Sequence, residues 1–130
     1  MEHRYSGHRD TIFAILKWYE KALKGIGKPE AIRILAAQRT FEEAWQNGDP
    51  LESFNARYNF KRVSTSEKCR QRGNLYQVRF IRGYRALLAF SEDGTNCWWL
   101  DVFAKNETEQ NRRIATACER ALRMQGQIEP

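Results

Sequence analysis

Three β-rich runs follow one another between residues 75 and 104, "LYQVRFI", "YRALLAFS" and "NCWWLDVFA", and only "RG" and "EDGT" interrupt them. Alternating polar and apolar residues mark strands with one buried face, and connections this short join only antiparallel neighbours. Asp93-Gly94 is itself a strong hairpin signal. An antiparallel meander is therefore the element this chain can least avoid, and the rest has to pack against it.

Parity then assigns the faces, because a slip of one residue exchanges every side chain between them. A two-residue loop at Arg82-Gly83 would put Arg85 on the face of Tyr76, Val78 and Phe80. A three-residue loop, Ile81-Arg82-Gly83 with Gly83 left-handed, instead collects Tyr76, Val78, Phe80, Tyr84, Ala86, Leu88 and Phe90 into one apolar face, and this register is expected. It leaves Gln77, Arg79, Arg85 and Leu87 on the opposite face, with Arg79 roughly across from Arg85 and Arg82 solvated in the turn. Like charges so placed cost a few tenths to about 1 kcal/mol unless something neutralises them. Two sources of counter-charge are open: Asp101 on the third strand, or an anionic ligand such as phosphate, which arginine binds bidentately. A tight Asp93-Gly94 turn sends Asp101 to the apolar face, away from Arg85, and so favours the ligand.

Upstream, "DTIFAILKWYEKALK" repeats Ile12, Ile15, Leu16, Tyr19 and Leu23 at helical spacing behind Asp10 as an N-cap. "GIGKP" stops it, Pro29 suits a first helical turn, and Ile34, Leu35, Phe41 and Trp45 carry a second helix to "NGDP". A helical hairpin over about residues 10–47 is expected. Residues 51–74 read as loops around a short strand near Tyr58 to Val63, so the sheet spans about 57–104. Asn106 or Thr108 caps a closing helix over about 107–124, with Ile114, Cys118, Ala121 and Leu122 on one stripe. The fold class is α+β, one domain over residues 1–130, with a helical hairpin and a C-terminal helix packed on a twisted antiparallel sheet. Trp98 and Trp99 alternate faces and read as core.

Charge points to a partner. The chain carries a net +6, yet the nine Lys or Arg between Arg57 and Arg85 meet one acid, Glu67, so that segment holds +8. Such one-sidedness is the footprint of a polyanion-binding surface. No run approaches the roughly 18 apolar residues a membrane span needs, and "MEHRYSGHRD" has no apolar h-region, so a cytoplasmic protein without membrane contact is expected. Cys69, Cys97 and Cys118 form no C-x-x-C pair and are expected to be reduced packing residues. His3 and His8 read as surface residues, and no metal or other cofactor is expected. "GIGKPE" lacks the G-x-x-x-x-G-K-[ST] pattern of a phosphate loop.

With the helical hairpin, "LYQVRF", "GYRALLAF" and "DVFAKNE" in this order, the chain resembles the RelE/ParE superfamily of type II toxins, including its HigB and phage Gp49-like branches, over roughly residues 10–123. The resemblance implies a RelE-like fold and metal-independent endoribonuclease cleavage of ribosome-bound mRNA. It implies Arg79 and Arg85 as the pair holding the scissile phosphate, Lys105 of the "F-x-K" match at Phe103 to Lys105 as a further catalytic residue, and Lys61, Arg62, Gln77 and Arg82 as RNA-binding neighbours. Gln77 stands where some members carry a catalytic lysine. It also implies a cognate antitoxin as partner. The Tyr or His that active members place near the C-terminus is missing after Phe103, which leaves Lys105, Glu107 or a ribosomal group for proton transfer. A non-catalytic member of the same fold that binds RNA or a protein, a gyrase poison, or a phage accessory protein are the competing readings.

Overall fold

A computed structural model describes residues 10–128, and His3 and His8 lie outside that range. The elements run β1 (Ile12–Ile15), α1 (Lys17–Ile26), α2 (Lys28–Asn47), α3 (Leu51–Tyr58), β2 (Lys61–Arg62), a π-helical turn (Cys69–Gly73), β3 (Leu75–Val78), β4 (Tyr84–Phe90), β5 (Asn96–Ala104) and α4 (Glu107–Ile128). The strands form one sheet in the order β1-β5-β4-β3-β2. β2 to β5 are antiparallel, whereas β1 lies parallel to β5, so the sheet is mixed and not wholly antiparallel.

The β3–β4 hairpin has the expected register. Val78 pairs with Ala86 and Gln77 with Leu87, which makes Ile81-Arg82-Gly83 the loop, and Gly83 adopts φ 85°. The apolar face expected from parity packs into the larger core cluster, with Val78, Ala86, Leu88, Phe90, Trp99 and Val102 under the side chains of α1, α2 and α3. Aromatic rings dominate it: Trp45 stacks on Phe90 at 4.8 Å, and Phe41 meets Phe54 and Tyr58 edge-on at 5.1 Å each. The other face carries Leu75, Leu87, Ala89, Trp98, Leu100 and Phe103, which pack against Ile114, Ala117, Cys118 and Ala121 of α4. Trp98 and Trp99 are thus both core, on opposite faces.

Three local expectations are corrected. Residues 12–15 are a strand, not the first turn of a helix, and α1 starts behind Leu16, which supplies no side-chain cap. Thr11 anchors that strand: its Oγ1 donates to the Gly94 carbonyl at 2.8 Å and accepts from Trp45 Nε1 at 3.2 Å, while its carbonyl accepts from Gln46 Nε2 at 2.9 Å. Residues 51–58 form α3, where loop was expected, and it ends at Asn59, left-handed at φ 49°. Cys69 and Cys118 are joined in a disulfide that fastens the π-helical turn to α4, contrary to the expected reduced state; only Cys97 is free among the described residues. Spacing carried no hint of it, because the two lie 49 residues apart and meet only through tertiary packing.

Candidate functional site

Where α4 begins, it leaves part of its sheet face uncovered, and a cleft of about 460 Å³ opens there, lined by Asn59, Lys61, Gln77, Arg85, Lys105, Gln110 and Asn111. Sheet register explains the gathering. Lys61 pairs with Gln77, and Gln77 pairs with Leu87, so these side chains share a face, and Arg85 lies on it two residues before Leu87. Lys105 follows β5 and is held beside the hairpin loop, its N–H donating to the Gly83 carbonyl at 2.6 Å. Asn106 starts α4, its Oδ1 accepting from the Thr108 N–H at 2.9 Å, which orients the turn that brings Gln110 and Asn111 to the cleft.

Every lining residue among those described is polar, three are cations, and none is a carboxylate. Small-molecule pockets are mostly apolar with a few polar anchors, so this lining suits a solvated anion or a hydroxyl-rich polymer.

Arg85 is the centre of the site. It is 8% exposed, and its guanidinium donates to the Tyr84 carbonyl at 3.2 Å. Among the described residues no carboxylate forms an ion pair with it. Burial, and then the charge of Arg79, push its pKa below the ordinary arginine value, which means the folded protein holds this charge at a cost. Gln77 beside it is 2% exposed, and its Oε1 has no hydrogen-bond partner. A buried cation with no carboxylate partner among the described residues and a buried acceptor with no donor therefore sit on one small area of the sheet.

Asp101 does not neutralise Arg85, for a reason different from the one parity suggested. The β4–β5 hairpin starts in the expected register, with Phe90 opposite Cys97, but an irregularity between Leu87 and Leu88 adds one residue on β5 and places Asp101 opposite Leu87. Asp101 is thereby turned toward α4, and Arg113 claims it with Nε and Nη2 at 2.9 and 2.7 Å. Arg113 also lies over the Phe103 ring, 5.1 Å from its centroid. This pair borders a separate groove of about 410 Å³ between α1 and α4, which includes Trp18 and Arg120.

Of the residues singled out in the sequence, Lys61, Gln77, Arg85 and Lys105 line the cleft, whereas Arg79, Arg82 and Arg62 do not. Arg79 is exposed just past the end of β3, near enough to perturb Arg85, with its N–H bound to the Tyr58 carbonyl at 2.7 Å. Arg82 is exposed in the turn. Arg62 pairs with Tyr76 and so faces the other side of β2, where it lies 5.8 Å from the Tyr76 ring centroid and borders an aromatic pocket of about 240 Å³. The +8 segment is therefore dispersed: Arg70 is paired with Glu67, and Arg57 covers Tyr58 at 5.3 Å. Sequence reasoning missed Asn59, Gln110 and Asn111. The left-handed Asn after a helix was a readable signal for Asn59, but the other two needed the position of α4. Glu107 falls outside the described side chains.

No protein-family model matches the chain, and no curated protein matches it significantly. A solved structure that is similar is the crystal structure of the archaeal RelE-RelB complex from Pyrococcus horikoshii OT3, at 15% identity and a TM-score of 0.49, covering 73% of this chain and 94% of that one.

Proposed function

We propose that this chain is a toxin of a type II toxin–antitoxin system, a cytoplasmic endoribonuclease that cleaves ribosome-bound mRNA without a metal ion. The observation that carries the reading is Arg85, a buried guanidinium that no carboxylate among the described residues neutralises, set with Lys61 and Lys105 in a cleft whose described lining holds no acid. A phosphodiester placed against it would supply the missing negative charge. Arg85 would stabilise the additional charge that develops on phosphate as a 2′-hydroxyl attacks, the step in which preorganised cations contribute most. Lys105 would protonate the leaving oxygen or hold the neighbouring phosphate, Lys61 would hold phosphate, and a group of the ribosome would take the proton of the attacking 2′-hydroxyl. Arg79, outside the lining but acting on Arg85 electrostatically, would receive the flanking phosphate. A cognate antitoxin, acidic in its binding segment, would cover this opening.

Inducible expression in a bacterial host, with primer extension on a reporter mRNA, tests the reading. Wild type should arrest growth and produce cuts that disappear in Arg85→Ala and Lys105→Ala but persist in Arg39→Ala on the far side of α2. Intact mRNA and unimpeded growth with well-expressed wild type would contradict it. A second reading has one observation in its favour: among the described residues no His or Tyr lines the cleft. In that reading the same surface binds RNA or a protein partner without cleaving, and growth arrest, if seen, leaves mRNA uncut.

A further inference from the structure

The aromatic pocket on the far side of β2 is separate from the cleft yet joined to it by one residue. Asn59, left-handed at φ 49°, turns the chain from α3 into β2 and sets Phe60 against Tyr76, their rings parallel at 4.7 Å. Trp45 closes the pocket from α2, and Asn55 walls it from α3. Its volume of about 240 Å³ lies below the range of drug-sized sites and suits one planar ring system. The rim is basic: Lys61 and Arg62 border it, and no carboxylate does among the described residues. β2 ends the sheet, with Lys61 paired to Gln77 on the cleft side and Arg62 to Tyr76 on the pocket side. Lys61 lines both openings. A strand held by its phosphates in the cleft therefore has only this edge to cross to bring a base to the aromatic wall.

We infer that the pocket takes one nucleobase of the bound RNA, stacked against its aromatic wall with the Arg62 guanidinium at its rim, while Lys61 contacts the phosphate at the crossing. The inference rests on the proposed nucleic-acid reading of the cleft and adds to it a second, apolar subsite on the opposite face of the sheet. Two features favour a base over an aromatic side chain of a protein partner. Arg62 offers a planar guanidinium at the mouth: it lies 5.8 Å from the Tyr76 ring centroid, near the outer limit of cation–π contact, and the Arg70 carbonyl fixes its Nη2 at 2.8 Å. Asn55 adds an exposed amide that can pair with the polar edge of a base, for which an apolar side chain has no use. Stacking on a π-face tolerates any base, so the subsite strengthens binding without reading sequence.

The test is fluorescence anisotropy with a labelled 2′-O-methyl RNA 12-mer of mixed sequence, which cannot be cut through its 2′ position, against an abasic strand of the same length. Wild type should bind the base-bearing strand about tenfold more tightly, the size of one stacked base. Asn55→Phe, which fills the pocket from its own wall, should bind both strands at the wild type's abasic affinity. Arg62→Ala should lose part of the preference and keep its affinity for the abasic strand; weakening of both strands equally would mark a phosphate contact and count against the inference. A strand carrying 5-iodouracil, irradiated while bound, should cross-link to Phe60 or Tyr76. Equal wild-type affinity for both strands, a preference that survives in a folded Asn55→Phe, or cross-links confined to the cleft overturns the inference. Each of these leaves the nucleic-acid reading in place and passes the pocket to a protein's aromatic side chain. Failure of wild type to bind either strand overturns both.

Discussion

At the scale of single residues, Arg113 and Arg85 differ in whether a described carboxylate balances their charge. The Asp101–Arg113 pair is structural: Asp101 is 4% exposed, and besides the two bonds from Arg113 it accepts a third from the Val102 N–H at 2.9 Å. Asp101→Ala would leave Arg113 half-buried without its partner and should lower stability by about 2 kcal/mol in urea unfolding. Arg85 has the opposite character. Its pKa is depressed by burial, so at neutral pH, below both folded and unfolded values, the charged form is disfavoured in the folded chain, and removing the charge relieves that cost. Arg85→Met should therefore be at least as stable as wild type while weakening anion binding, the exchange expected where a site is held ready for a ligand. The identities of both arginines were plain in the sequence. Which of them held Asp101 was not, because a single irregularity in β4–β5 pairing decides it and leaves no mark on residue pattern.

At the scale of elements, local signals worked at the hairpin loops and the α4 cap but missed α3, although the helix over Leu51–Tyr58 is itself made of local contacts. The β3–β4 loop followed from parity alone, and Asn106 caps α4 as its residue type suggested. The β4–β5 turn is held by Asp93, whose carboxylate accepts from Thr95 N–H and Oγ1 and from Ser91 Oγ, bonds that lower its pKa to about 2. That support is present above the unfolded carboxylate value near 4 and is lost as pH falls toward 2, so thermal unfolding between pH 4 and pH 2 should show a smaller decline in Asp93→Asn than in wild type. β1 was illegible because its partners lie far along the chain. Ile12 to Leu16 satisfy a helical period, but the strand is made by parallel pairing with β5, some 84 residues away, and by Phe13 stacking near Trp99 at 6.3 Å; tertiary pairing overrides local preference. The disulfide is similarly non-local. Closing a loop of about 50 residues, it contributes about 4 kcal/mol on chain-entropy grounds, so Cys118→Ser should lose stability of that order in urea unfolding. Gly73 belongs to the same junction: a Cβ there would lie 2.9 Å from Cys69 Sγ.

At the scale of the whole molecule, two helical layers enclose a mixed sheet, and a polar cleft opens where α4 starts. The sequence's charge run exaggerated the size of the site, since most of its cations are spent on Glu67, aromatic rings or solvent, and only Lys61 and Arg85 from that run reach the cleft. The ionic term in RNA binding should be correspondingly modest: three cleft cations and Arg79 predict a slope of log affinity against log salt near −3 for a single strand, against the steeper slope that the entire run would give. The claim on which the account turns is that the counter-charge of Arg85 comes from outside the chain. Thermal unfolding of wild type and Arg85→Met, each with and without a 2′-O-methyl RNA 12-mer, tests it most directly. The account predicts that Arg85→Met melts at or above wild type without ligand, and that added RNA raises the melting temperature of wild type alone. A ligand-free Arg85→Met that melts well below wild type, or an equal RNA-induced rise in both proteins, would contradict it.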